Sequence, residues 1–237
     1  MAIEWPELDR AWHDLKEAQE ACTLCSTDGQ APLISQGAKP LFGKFNVWEN
    51  GVLFIFEAPN EDDTFNPSKG YLTYDNETDP TGRFARLLMV EDMGLHPDNF
   101  QVTNSVLCLP AKKNGKFTVG SKQRKLCSSR LREQISVLDP AVVVPVGGAA
   151  LIATRQLEDH GYQKMLEAVG RPVQWLGRWL FPVFHTGMLA RNGPGGRKEG
   201  QVRQGGVRGS RHPVPDQAAS CLTASISSPS SCRPAWA

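Results

Sequence analysis

The sequence of 237 residues predicts an α/β protein, a three-layer α/β/α sandwich around a central, mostly parallel four-stranded sheet. Two observations point to this class. Short, continuous apolar runs at Val52–Phe56 and Ala141–Val146 have the character of strands buried on both faces. Segments with helical spacing separate the strand candidates, and such alternation builds parallel sheets covered by helices.

The elements follow in order. Leu8, Trp12 and Leu15 recur at helical spacing, so a first amphipathic helix runs up to Cys22. Val52–Phe56 is the first strand and ends in a polar, Pro-containing turn. Phe84, Leu87 and Leu88 mark a helix that stops near Gly94, and Val102 to Leu107 reads as the next strand. Leu131, Ile135 and Leu138 share one helical face, closed by Asp139-Pro140. Ala141 to Val146 is the next buried strand, and Gly147-Gly148 turns the chain tightly into a helix that reaches about Leu157. Trp179 to Phe184 is the last strand and runs into His185. Glu57, Asn104, Gly147 and His185 then fall at the carboxyl ends of strands, where ligands of open α/β sheets sit.

Residues 1–201 form the predicted domain. Beyond them, Gly193 to Gly209 is rich in Gly and Arg, and Ala218 to Ala237 is rich in Ser, Pro and Cys without an apolar period. Residues 202–237 are therefore expected to be disordered, or a tail foreign to the domain.

With 40% apolar and 22% charged residues, the composition excludes disordered and membrane classes for the chain as a whole. No apolar run approaches the roughly 20 residues that span a bilayer. The first residues lack the basic-then-apolar order of a signal peptide, so a monomer in the cytoplasm, with reduced thiols, is expected. The net charge is +1 overall but −2 over residues 1–201, so contact with nucleic acid requires a local patch. Ala111 to Arg132 offers one, with eight Lys or Arg and no acid. It reads either as a solvated face or as a phosphate-binding surface, and in the second case Lys122 and Arg124 are the candidate DNA contacts.

Four cysteines precede the tail: Cys22 and Cys25 in a Cys-x-x-Cys pair, then Cys108 and Cys127. A pair at a helix end presents two thiolates to one metal, and two more complete a four-sulfur site. Zinc and a [4Fe–4S] cluster satisfy this donor set equally, and scattered buried thiols are the plainer alternative. Glu57 to Asp63 packs four acids into seven positions as the chain leaves the first strand. Such crowding needs solvent, pairing or a function. Asn104 lies just inside a strand, where its amide needs partners and could read a pyrimidine edge. His185 is followed by Thr186-Gly187-Met188-Leu189-Ala190-Arg191, a loop with two apolar residues at its tip.

In order, these pieces resemble the uracil-DNA glycosylase superfamily, closest to its iron–sulfur branch, over Cys22 to about Gln201. The matching parts are the Cys-x-x-Cys pair, Phe56-Glu-Ala-Pro-Asn-Glu-Asp-Asp63, and Thr103-Asn-Ser-Val-Leu-Cys108-Leu-Pro110. Cys127 in its basic stretch, Asp139 to Gly147, and His185 to Arg191 complete the series. The resemblance implies an enzyme that flips uracil or a related damaged base out of DNA and hydrolyses its N-glycosidic bond. It implies a structural [4Fe–4S] cluster on Cys22, Cys25, Cys108 and Cys127, with zinc the less favoured occupant. Glu57 and Asp63 would orient water or stabilise the sugar cation. Ala58, Pro59 and Asn104 would frame and read the base, and His185 would stabilise the departing anion. Met188 and Leu189 would enter the base stack, with Arg191 on the backbone. Phe56 and Asn60 stand where the family motif has Gly, and Tyr71 or Tyr74 replaces the stacking aromatic of its next motif. Two rivals remain: a same-fold relative that binds or is trapped on DNA without turnover, and a four-cysteine zinc domain that binds nucleotides or protein partners.

Overall fold

Val52–Phe56 forms β1, the strand on which the sheet is assembled. The computed structural model describes residues 5–22, 24, 51–59, 85, 87–95, 100–108, 112–113, 116–117 and 119–187. Within them the sheet has five strands in the order β2-β1-β5-β7-β6, where β2 is Phe100–Asn104, β5 is Val142–Pro145, β6 is Val173–Trp175 and β7 is Arg178–Leu180. β1 pairs in parallel with β2 and β5, and β5 pairs in parallel with β7. β6 pairs antiparallel with β7 at the edge.

The apolar runs are continuous because both faces of β1 are covered. Leu53 and Ile55 point into one core with Leu131, Ile135, Val143, Ala150, Ala153 and Leu180. Val52 and Phe54 point into another with Ala85, Met89, Leu95, Phe100, Val142 and Val144. Helices α2 (Ser121–Leu138) and α3 (Gly148–Leu157) cover the first face. A π-helical segment, Leu87–Asp92, covers the second. Helix α1 (Trp5–Glu20) packs on α2, with Trp12 and Leu15 against Leu107, Val137 and Leu138.

The α/β class and the parallel core agree with the sequence reading, with several differences, among them β2 at Phe100–Asn104 rather than Val102 to Leu107. The sheet has five strands rather than four: Val173–Trp175 joins β7 through a two-residue turn in which Leu176 and Gly177 have φ of 48° and 71°. Positive φ at both central residues is the turn whose twist suits a hairpin. The predicted last strand, Trp179 to Phe184, is instead regular only at Arg178–Leu180 and continues as an isolated bridge from Val183 to Val146. Within the basic run, Lys112–Lys113 (β3) and Lys116–Phe117 (β4) form a small antiparallel ribbon. A four-residue helix, α4 (Met165–Ala168), lies between α3 and β6. The predicted tail, 202–237, lies outside the described residues.

The strand order fixes where a ligand can sit. The chain leaves β1 toward β2 on one side and leaves β5 toward β7 on the other. The crevice outside the carboxyl ends of β1 and β5 is therefore the topological switch point.

Candidate active site

Three chain segments meet at that switch point. The first is the exit of β1, Glu57-Ala58-Pro59. Its backbone is pinned by the exit of β2: the Ser105 N–H donates to Phe56 O at 2.8 Å, and the Val106 N–H and Ser105 Oγ donate to Glu57 O at 3.0 and 2.7 Å. Asn104 closes β2 directly opposite Phe56 and is 4% exposed. Glu57 and Ala58 are half-buried and Pro59 is buried.

The second segment is Gly147, which leaves β5 with φ 90° and ψ 171°, backbone that only glycine adopts without strain. Its N–H donates to Val183 O at 2.8 Å. A Cβ built on Gly147 would lie 2.7 Å from the Cβ of His185. The glycine therefore lets the third segment, the continuation of β7, lay His185 against the sheet edge. The His185 ring also meets the Phe56 ring edge-on, with centroids 6.3 Å apart and planes at 85°.

The tautomer of His185 follows from one hydrogen bond. The Gly187 N–H donates to Nδ1 at 3.1 Å, so a neutral ring carries its proton on Nε2. Such a ring is a fixed donor, suited to an oxygen that gains negative charge.

Arg124 reaches this site from α2. Its Nη1 lies 3.8 Å from Glu57 Oε1, and the Arg124 side chain is 15% exposed. The sequence predicted a phosphate contact for this residue, whereas its guanidinium faces the candidate acid. Lys122 and Lys125 are exposed on the first turns of α2. Arg130 bonds Glu133 instead, at 3.0 Å, and Arg132 donates to Leu157 O.

The cysteines lie apart from this site, at the end of α1, at the exit of β2 and on α2. Cys22 follows α1 beside the Arg130 guanidinium, whose pKa is raised first by Glu133 and then by Cys22. Cys127 is buried one turn before Arg130, and Cys108 follows Leu107, which packs on α1. Soft sulfur donors from three elements, one beside a cation, fit an iron–sulfur cluster in donor chemistry. Among the described residues, no group of three or more His, Cys, Asp or Glu stands close enough to hold a metal. Cys25, the other half of the Cys-x-x-Cys pair, lies outside them. So do Asp63, Tyr71, Tyr74, Met188, Leu189 and Arg191.

Sequence reasoning missed Ser105, the contact of Phe56 with His185 and the ion pair of Glu57 with Arg124. Ser105 follows Asn104 and carries no pattern of its own. The other two join residues 129 and 67 positions apart, which no local spacing encodes. Among the described residues no helix is long and apolar enough to cross a membrane.

The family model for the uracil DNA glycosylase superfamily matches residues 42–203. A type-4 uracil-DNA glycosylase of Thermotoga maritima is 26% identical over 186 residues, which cover 75% of this chain and 82% of that relative.

Proposed function

Because the chain belongs to the uracil DNA glycosylase superfamily, we propose that it excises uracil, or a related deaminated base, from DNA by hydrolysing the N-glycosidic bond. The observation that carries this reading is the convergence of Glu57 and His185 at the switch point of the sheet, with Gly147 making room for the histidine.

The chemistry suits such a pair. Breaking the glycosidic bond places positive charge on the sugar and negative charge on the leaving base. A carboxylate on one side and a hydrogen-bond donor on the other stabilise both as they develop. Glu57 orients the attacking water and faces the sugar cation, with Asp63 as a second carboxylate. His185 donates from Nε2 to the base oxygen, and Asn104 reads the base edge within the pocket framed by Ala58 and Pro59. Tyr71 or Tyr74 stacks on the extruded base. Met188 and Leu189 fill the space it leaves, and Arg191 with Lys122 contacts backbone phosphates.

Cys22, Cys25, Cys108 and Cys127 hold a [4Fe–4S] cluster in this reading, a structural group that ties α1, the exit of β2 and α2 together. The donor chemistry of these residues supports it. The enzyme is expected to act as a monomer in the cytoplasm.

The test pairs a visible spectrum of anaerobically purified protein with incubation on a uracil-containing oligonucleotide, followed by alkali. Absorbance near roughly 400 nm from iron–thiolate bonds, together with strand breaks at uracil that form far more slowly in Glu57→Gln, supports the whole reading. Unbroken DNA under every condition refutes the activity, and a colourless protein containing zinc refutes the cluster.

A further inference from the structure

We infer that Arg124 is a positioning residue for Glu57, setting the direction of its carboxylate from helix α2; this rests on the glycosylase reading above.

The backbone of Glu57 is fixed by Ser105 and Val106, but these bonds reach only its carbonyl. Its side chain remains 43% exposed and has several rotamers to choose from. The Arg124 guanidinium supplies the missing constraint. Nη1 donates to Val119 O at 3.0 Å, which ties the head of the side chain to the backbone just ahead of the helix. The same nitrogen stands 3.8 Å from Glu57 Oε1. The helix start that carries Arg124 is itself fixed, since the Gly120 N–H donates to Gln123 Oε1 at 2.7 Å.

Burial supports an inward role. Arg124 is only 15% exposed, and its Nε is buried with no hydrogen-bond partner among the described residues. A guanidinium placed for a DNA phosphate keeps its donors in water until the strand arrives. This one has withdrawn from solvent toward a carboxylate. Arg also suits the position better than Lys. Its planar guanidinium fixes the direction of Nη1 toward both the carbonyl and the acid, whereas an ammonium is a single point charge on a flexible stem.

The experiment measures uracil release and DNA affinity for wild type, R124M, R124K, E57Q and the E57Q/R124M double variant. Misdirecting the carboxylate in R124M lowers kcat by about 10- to 100-fold, with KM and the salt dependence of binding unchanged. R124K recovers part of the loss. In the E57Q background, adding R124M changes kcat by less than about twofold, because the interaction it removes is already gone. If R124M fails to fold, R124Q reads the same split between kcat and KM. A weaker KM with a flattened salt slope and intact kcat overturns the inference and makes Arg124 a phosphate contact. An undiminished effect of R124M in the E57Q background overturns it equally, since the residue then acts through something else. An active wild type with an unaffected R124M sinks the positioning role alone. A wild type that releases no uracil sinks the glycosylase reading and this inference with it.

Discussion

Gln134→Leu is expected to cost the fold about 3 kcal/mol, although the two side chains are similar in size and the site is fully buried. Gln134 is the middle of a polar chain through the core. Thr103 Oγ1 donates to Gln134 Oε1 at 2.6 Å, and Gln134 Nε2 donates to Gln19 Oε1 at 3.0 Å. Gln19 Nε2 then donates to Arg130 O at 3.1 Å. Thr103, Gln134 and Gln19 are at most 1% exposed, so water cannot replace a lost partner. Leucine at 134 leaves the Thr103 hydroxyl and the Gln19 carbonyl oxygen unpaired, at about 1–3 kcal/mol each. The apolar gain of leucine offsets part of this. For a chain of this size the loss lowers Tm by about 6–12 °C. Urea unfolding followed by tryptophan fluorescence checks it, with the midpoint falling at constant slope. Thr103→Val combined with Gln134→Leu should cost less than the sum of the single changes, because both ends of one bond leave together. A loss below about 1 kcal/mol for Gln134→Leu, or strict additivity of the pair, refutes the idea that this chain is sealed from solvent.

Three further outcomes follow from the geometry. Gly147→Ala forces a side chain into glycine-only backbone and against His185, so it should lose about 2 kcal/mol of stability and more than about tenfold in kcat; preserved kcat would detach the histidine from the chemistry. His160 is buried, its Nδ1 accepts the Tyr162 N–H at 3.2 Å, and its Nε2 lies 3.1 Å from Leu151 O, so the fold selects the neutral ring. Burial lowers its pKa below 6.5 despite the opposing bond to Leu151 and the charge of Asp159, with Arg155 adding to the lowering. The unfolded chain thus takes up the proton first, and the His160 contribution is complete above about pH 6.5 and falls as pH drops toward the lowered value. The urea midpoint of wild type should decline below that pH at up to about 1.4 kcal/mol per unit, and His160→Gln should remove this share of the slope. Finally, replacing exposed Lys122 and Lys125 with Ala should weaken DNA binding evenly across sequences and reduce the salt slope by about one to two; an unchanged slope would take α2 out of the DNA interface.

The buried strands were legible because both faces of β1 and β5 are covered, which makes every position apolar. The carboxyl-edge residues were legible for the same reason: Glu57, Asn104 and His185 are polar where such runs stop. β6 was not, because Val173-Gln174-Trp175 is too short to show a period and its turn is Leu-Gly rather than Asn-Gly. The β3–β4 ribbon has a local signal in the sequence. Asn114-Gly115 separates its two pairs of residues, and that dipeptide favours a two-residue hairpin. The π-helical turns at Leu87–Asp92 keep an apolar face much like that of an α-helix, so their different hydrogen bonding leaves no mark on the pattern.

The inward turn of Arg124 was, by contrast, written in the helical period. On α2 the buried positions are Cys127, Leu131, Gln134 and Ile135. Carrying that stripe back by one turn from Cys127 lands on Arg124, while Lys122, Lys125 and Arg132 fall on the outer face. A basic run on a helix is thus not one surface but two, divided by the same spacing that divides leucine from serine. The outer cations are exposed and serve long-range attraction, which salt screens. The inner one meets whatever the neighbouring strand presents, and here that strand ends in Glu57. Charge of one sign along a sequence therefore predicts a binding face only after the period has removed the positions that the fold turns inward. A cation removed in this way points to an acid on the element beneath it.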